Sequence, residues 1–195
     1  AGQRRAAGWS EARGGVAGQI AREEEVDVLC AEVGLGGRLD ATNALPAVAT
    51  LLTTVDLDHQ HILGETRSEI LREKLGLLKA GVPFFCAVDA ELAPEAFMAA
   101  VQAGSPAHFL DELSRQEPGP DGRWRLVLRE RVIEGLPDLG TAGLNRNVAL
   151  ALLGLDELEK AGVLRGPADP AAALDDLFLP GRWHQVLTAP DVIVD

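Results

Sequence analysis

An α/β fold, with a mainly parallel sheet flanked by helices, is the architecture this sequence predicts, and three observations carry it. Short apolar, β-branched runs recur at 26–33, 47–55 and 83–88. Helical spacing follows the second and third of them, at 66–79 and 92–102, and the joins are rich in Gly, Pro and Asp. Strands that alternate with helices pair in parallel, because each crossover returns the chain in the same direction. With 195 residues, 47% of them hydrophobic and 25% charged, the chain can bury a core and has an ordinary soluble balance.

Taken in order, residues 10–25 read as a helix, with Val16, Ile20 and Ala21 on one face and a Glu-rich end. The run 26–33 reads as a buried strand that feeds a glycine-rich turn, and 47–55 as a second apolar strand. Residues 66–79 place Ile70, Leu71, Leu75 and Leu78 on one side of a helix and charges on the other. A third strand is expected at 83–88, then a helix at 92–102 opened by Pro94-Glu95. The pattern then changes: 117–122 is a turn cluster, and 123–128 alternates polar and apolar residues as a half-exposed antiparallel strand does. Residues 147–161 form an Ala- and Leu-rich helix, Asp169-Pro170 starts another, and 183–187 and 192–194 read as strands. The break at Leu179-Pro180-Gly181 sets an expected domain boundary near 180, giving domains 1–180 and 181–195.

Composition excludes some classes. A net charge of −12 is wrong for a nucleic-acid binder, which needs Lys and Arg to displace phosphate counterions. No apolar run reaches the roughly 20 residues of a membrane helix; the best, 44–55, is interrupted by Pro46 and threonines. No signal-type apolar segment follows Arg4 and Arg5. Cys30 and Cys86 both fall in strand-like runs and are expected in the core, which implies a reducing, cytoplasmic setting.

Three clusters carry chemistry. Glu32-Val-Gly-Leu-Gly-Gly-Arg-Leu-Asp-Ala-Thr-Asn43 puts a carboxylate at the expected C-terminal end of a strand, where open α/β sheets bind ligands. The glycines that follow would let the backbone approach a ligand closely. It is a poor dinucleotide fingerprint, and a plain tight turn explains it equally well. Asp56-Leu-Asp-His59 follows another apolar run, and a His beside a carboxylate can ligate a metal or simply cap a helix. Lys74, in Arg72-Glu-Lys-Leu-Gly76, is by itself an ordinary helical lysine.

Together and in this order, these clusters, with Leu63-Gly64 between them, resemble the dihydrofolate synthase/folylpolyglutamate synthase family of the Mur ligase superfamily. Leu179-Pro-Gly-Arg182 and Val192-Ile-Val-Asp195 are similar to that family's passage into its C-terminal domain, and Glu11 to a residue of its pterin-side loop. The resemblance implies a Mur-ligase-like central domain carrying a small antiparallel piece and the beginning of a C-terminal α/β domain. It implies an ATP-dependent ligase that joins L-glutamate to dihydropteroate or folate through an acyl phosphate, working as a cytoplasmic monomer on small-molecule substrates. By position, Glu32, His59 and a carbamylated Lys74 would hold Mg²⁺. Lys74 and Arg182 would serve catalysis, Asn147, Arg182 and Asp195 would contact ATP, and Glu11, Leu39, Asp40 and Ala41 would line the substrate side. Mg²⁺ takes oxygen ligands and bridges phosphates, which suits a carboxylate and a carbamate.

The sequence departs from that family in places. None of Lys74, Lys79 and Lys160 follows a glycine, so no G-x-x-x-x-G-K-[ST] phosphate loop exists here, and this polypeptide by itself is expected not to turn over. Gly8-Trp-Ser-Glu11 replaces a Phe-rich loop, Leu75 stands where Ala is usual, and the spacing in 143–147 makes Asn145 an alternative to Asn147. A related cell-wall amide ligase and a non-catalytic remnant of the folate ligase are the competing readings.

Overall fold

The computed structural model describes residues 18–175, 177, 184–188 and 191–194. The chain divides at His108/Phe109 into two compact units. The boundary expected near 180 falls among residues outside those described, as does the first part of the helix expected at 10–25, of which 18–23 is helical and is named α1.

The first unit carries a three-stranded sheet in the order β1-β2-β3: β1 (Thr50–Leu52), β2 (Phe84–Cys86) and β3 (Ala107–Phe109). β1 and β2 pair in parallel, Thr50 opposite Phe84 and Leu52 opposite Cys86, as the alternation of elements predicts. β2 is the central strand and is buried on both faces, which is why it reads as an unbroken apolar run rather than an alternating one. Between β1 and β2 lie α2 (Gln60–Leu63) and α3 (Arg67–Leu75); α4 (Ala93–Ala103) joins β2 to β3.

Local chemistry sets these helix ends. Thr66 caps α3 in a reciprocal box: its hydroxyl accepts from the Glu69 amide, and the Glu69 side chain accepts from the Thr66 amide. α4 begins with a proline in its first turn and ends at Gly104 in the left-handed conformation, φ 68. Ile70, Leu71 and Leu75 of α3 and Ala96 and Ala100 of α4 are buried with Val55, Phe84 and Phe85 as this unit's core.

One expected strand is absent. Residues 26–33 form no ladder, and Val26, Val28, Leu29 and Cys30 are exposed, so Cys30 is not a core residue while Cys86 is. The reason is that apolar, β-branched composition makes a segment fit to be a strand, but only a hydrogen-bonded neighbour makes it one. Among the described residues no segment pairs with it.

The second unit is built on an antiparallel meander, β4 (Ser114–Pro118), β5 (Trp124–Leu128) and β6 (Val132–Leu136), preceded by α5 (Leu110–Leu113). Trp124, Leu126 and Leu128 of β5 are buried and the residues between them are not, the alternation read from the sequence. The expected turn at 117–122 begins later, because Glu117 and Pro118 pair with Arg125 and Trp124. α6 (Ala142–Lys160) starts five residues before the expected 147, where Thr141 caps the Leu144 amide and outweighs the poor helix propensity of Gly143, Asn145 and Asn147. α7 (Pro170–Asp175) begins at the predicted Asp169-Pro170, and β7 (His184–Thr188) and β8 (Asp191–Val194) form an antiparallel pair. Among the described residues no helix is long and apolar enough to cross a membrane.

A candidate ligand site at the glycine-rich loop

The motif of the first unit folds around one carboxylate. Asp40 Oδ2 accepts from the Gly34 and Leu35 amides at 3.1 and 3.3 Å. Its Oδ1 accepts from the Thr42 amide at 2.9 Å and the Thr42 hydroxyl at 2.7 Å. Asp40 is thereby the N-cap of a short 3-10 turn, Ala41–Ala44. Burial pushes its carboxyl up, but the hydrogen bonds from Thr42, Leu35 and Gly34 outweigh burial and hold it below the usual carboxylate value.

This loop is clasped to the C-terminal end of α3, the helix of Lys74. The Arg38 amide donates to the Glu73 carbonyl at 2.9 Å, and the Arg38 guanidinium lies 3.0 Å from the Glu73 carboxylate. Asn43 Nδ2 donates to the carbonyls of Arg38 and Gly76 at 3.0 and 3.2 Å, and Lys79 Nζ to those of Asn43 and Leu45 at 2.8 and 2.6 Å. Two glycines allow the approach. A Cβ on Gly37 would sit 2.8 Å from the Lys74 carbonyl oxygen, and one on Gly76 would overlap Arg38. Of the glycines expected to admit a ligand, Gly37 instead admits a helix end, and Lys74 is half-buried beside it.

His59 caps α2 from the left-handed conformation, φ 48 and ψ 36, which a side chain rarely adopts. Asp58 Oδ1 accepts from the His59 amide at 2.7 Å and lies 2.9 Å from its Nδ1. The imidazole is thus oriented by a carboxylate, which leaves Nε2 as the nitrogen for a ligand. Glu32 is exposed on the irregular stretch ahead of the loop, Leu39 is 80% exposed at the loop's crest, and Ala41 is half-buried. Among the described residues no group of three or more His, Cys, Asp or Glu side chains is disposed to hold a metal ion. Of the expected ligands, only Glu32 offers oxygen as it stands, so a Mg²⁺ held there would take the rest of its shell from water and substrate phosphates.

In the second unit, Asn145 is committed to its own loop. Its Oδ1 accepts from the Leu139 amide at 3.0 Å, and its Nδ2 donates to Asp138 at 2.8 Å. That bond, with the Gly140 amide, holds the Asp138 carboxyl below its usual value. Asn147 is exposed on α6, so of the two asparagines it is the one open to a ligand. Glu11, Arg182 and Asp195 lie outside the described residues.

Sequence reasoning missed the residues that fasten the site. Glu73, Asn43 and Lys79 were inside or beside the motifs, but nothing in their spacing says that they face one another. Arg67 is a further case: from the first turn of α3 its guanidinium reaches the Val55 carbonyl at 2.9 Å, Asp89, and Glu91 at 3.4 Å.

Similarity to known proteins places these features in a family, although no family model matches the chain. The dihydrofolate synthase/folylpolyglutamate synthase of Bacillus subtilis (strain 168) is 32% identical over 188 residues, covering 90% of this chain and 43% of that protein. The Escherichia coli (strain K12) protein of the same name is 30% identical over 181 residues, covering 89% of this chain and 40% of its own length. Among solved structures, an FPGS–AMPPCP–folate complex superimposes with a TM-score of 0.83 at 26% identity, over 94% of this chain and 46% of that one. The chain thus spans less than half the length of these relatives. The Asp40-centred loop, His59 at the start of α2 and the helix of Lys74 occur in a chain similar along nine-tenths of its length to these synthases, and it belongs to the dihydrofolate synthase/folylpolyglutamate synthase family.

Proposed function

We propose that the protein is an ATP-dependent ligase that joins the amino group of L-glutamate to the carboxyl group of dihydropteroate, a folate, or both. The observation that carries this is the clasp between the glycine-rich loop and the Lys74 end of α3, which holds two of the chemistry-bearing segments as one piece. The names of the relatives, and the AMPPCP and folate bound by the solved neighbour, support the choice of substrates.

In this reading the substrate carboxylate takes the γ-phosphoryl group of ATP and ADP leaves. The glutamate amine then attacks the acyl carbon, phosphate departs, and the amine gives up its proton. Such a reaction is mostly positioning and charge stabilisation. Glu32, His59 and a carbamylated Lys74 would hold Mg²⁺, which when bound would neutralise phosphate charge. Asn147, Arg182 and Asp195 contact ATP, with Arg182 answering charge on the transferred phosphoryl group. Leu39 offers exposed apolar surface to the pterin side, while Asp40, its carboxylate already engaged within the loop, shapes the wall with Ala41, and Glu11 is a further substrate contact. The protein acts as a monomer in the cytoplasm.

The test is phosphate release from ATP by the full-length protein with a phosphate loop present, with dihydropteroate or a reduced folate as acceptor and glutamate present or withheld; the 195 residues by themselves, which contain no such loop, are expected not to turn over. Release that needs both acceptor and glutamate, and falls at least about tenfold in Lys74→Ala, is the expected result. Release indifferent to glutamate, or absent with every pterin acceptor, refutes the reading.

A further inference from the structure

We infer that Arg67 is a positioning residue for the His59 segment, a role that rests on the ligase reading for its consequence but not for its geometry. Three facts place it there. Its Nε donates to the carbonyl of Val55 at 2.9 Å, and Val55 is a buried residue in the segment that leaves β1, directly before Asp56-Leu-Asp-His59. Its two terminal nitrogens reach Asp89 and, at 3.4 Å, Glu91, in the segment that leaves the adjacent strand β2. One guanidinium thus ties together the segments that follow the C-terminal ends of two neighbouring parallel strands, the edge at which open α/β sheets bind ligands. A planar fork with five donors can serve three acceptors in fixed directions, which the single ammonium of lysine cannot.

The segment it anchors is under backbone strain. His59 holds φ 48 without a side-chain capping bond to α2, and Asp56, Asp58 and His59 are exposed. Residues in such conformations persist only when their surroundings over-determine them. The Asp58 contacts fix the imidazole ring and amide locally, while the Val55 bond fixes where the whole segment leaves the sheet. α3 itself is secured independently, by the Thr66–Glu69 box, by Ser68 and Arg72 on Glu95 of α4, and by its buried Ile70 and Leu71. Loss of the Arg67 side chain should therefore loosen 56–60 without melting the helix that bears it.

Hydrogen–deuterium exchange resolved by residue, on Arg67→Gln and Arg67→Lys in the whole protein, measures this directly. In Arg67→Gln the amides of 56–60 should exchange about tenfold faster while those of Ile70, Leu71 and β2 keep their protection. Arg67→Lys should fall between Gln and wild type. Unchanged exchange over 56–60, or acceleration shared equally by α3 and β2, overturns the assignment. In parallel, glutamate-dependent phosphate release is followed against Mg²⁺ concentration. The half-saturating Mg²⁺ should rise about tenfold in Arg67→Gln, more than kcat falls. A loosened segment with an unmoved Mg²⁺ dependence overturns the positioning role. If wild type shows no glutamate-dependent release, the ligase reading is what fails, and exchange alone decides Arg67.

Discussion

Replacement of Gly37 by alanine is the sharpest test of the clasp. A Cβ there would lie 2.8 Å from the Lys74 carbonyl oxygen, 2.9 Å from that of Glu73 and 3.0 Å from Lys74 Cα. All three are backbone atoms of a packed helix end, not the tips of side chains that could swing away. Gly37 is buried and its φ is not in the left-handed region, so the cost is steric and not torsional. Forcing one methyl into a packed site costs about 1–3 kcal/mol. If the loop lifts to avoid the contact, it gives up the Arg38–Glu73 backbone bond instead, a comparable loss. At about 2 kcal/mol, a chain of this size should melt about 4–8 °C lower. The same change at Gly143 serves as the control: nothing lies within 4 Å of a Cβ there, and the residue is in the first turn of α6. Gly143→Ala should hold the melting point or raise it slightly, by helix propensity of about 0.5 kcal/mol. Thermal unfolding of the two variants beside wild type is sufficient. A Gly37→Ala protein that melts within about 1 °C of wild type would show that loop and helix are not in contact as described.

Asp40→Ala removes the cap and should cost roughly 1 kcal/mol at pH 7. Because the folded carboxyl lies below its unfolded value of about 3.9, its contribution is present above that pH and is lost as pH falls through the folded value. Urea midpoints of variant and wild type should therefore approach each other as pH falls below about 3.9; a gap that stays constant with pH counts against the carboxylate's role. Cys30 is exposed and Cys86 buried, so iodoacetamide should add one adduct to the native protein and a second only in denaturant. Two adducts under native conditions, or none, would contradict the burial pattern.

The sequence by itself determined the αβ alternation, the apolar strand within 83–88, the helix within 66–79, and the family. Each of these is written in local terms: an unbroken apolar run, apolar residues at helical spacing, a glycine-rich string whose order is specific. It also singled out Asp40, His59 and Lys74, because residue type and motif mark them without any knowledge of their neighbours. What the tertiary structure alone decided is pairing. Residues 26–33 have strand composition, yet stay unladdered with Cys30 in solvent, since a strand requires a partner and composition does not supply one. Arg38 and Glu73, Asn43 and Gly76, Arg67 and Asp89 are more than twenty residues apart in sequence, and nothing in one member of a pair announces the other. Gly37 shows the division most plainly. Its smallness is legible in the sequence, where a ligand and a tight turn account for it equally; the fold shows that the space is taken by the backbone of Lys74. Steric need is local, but the identity of what fills it is set by how distant segments pack.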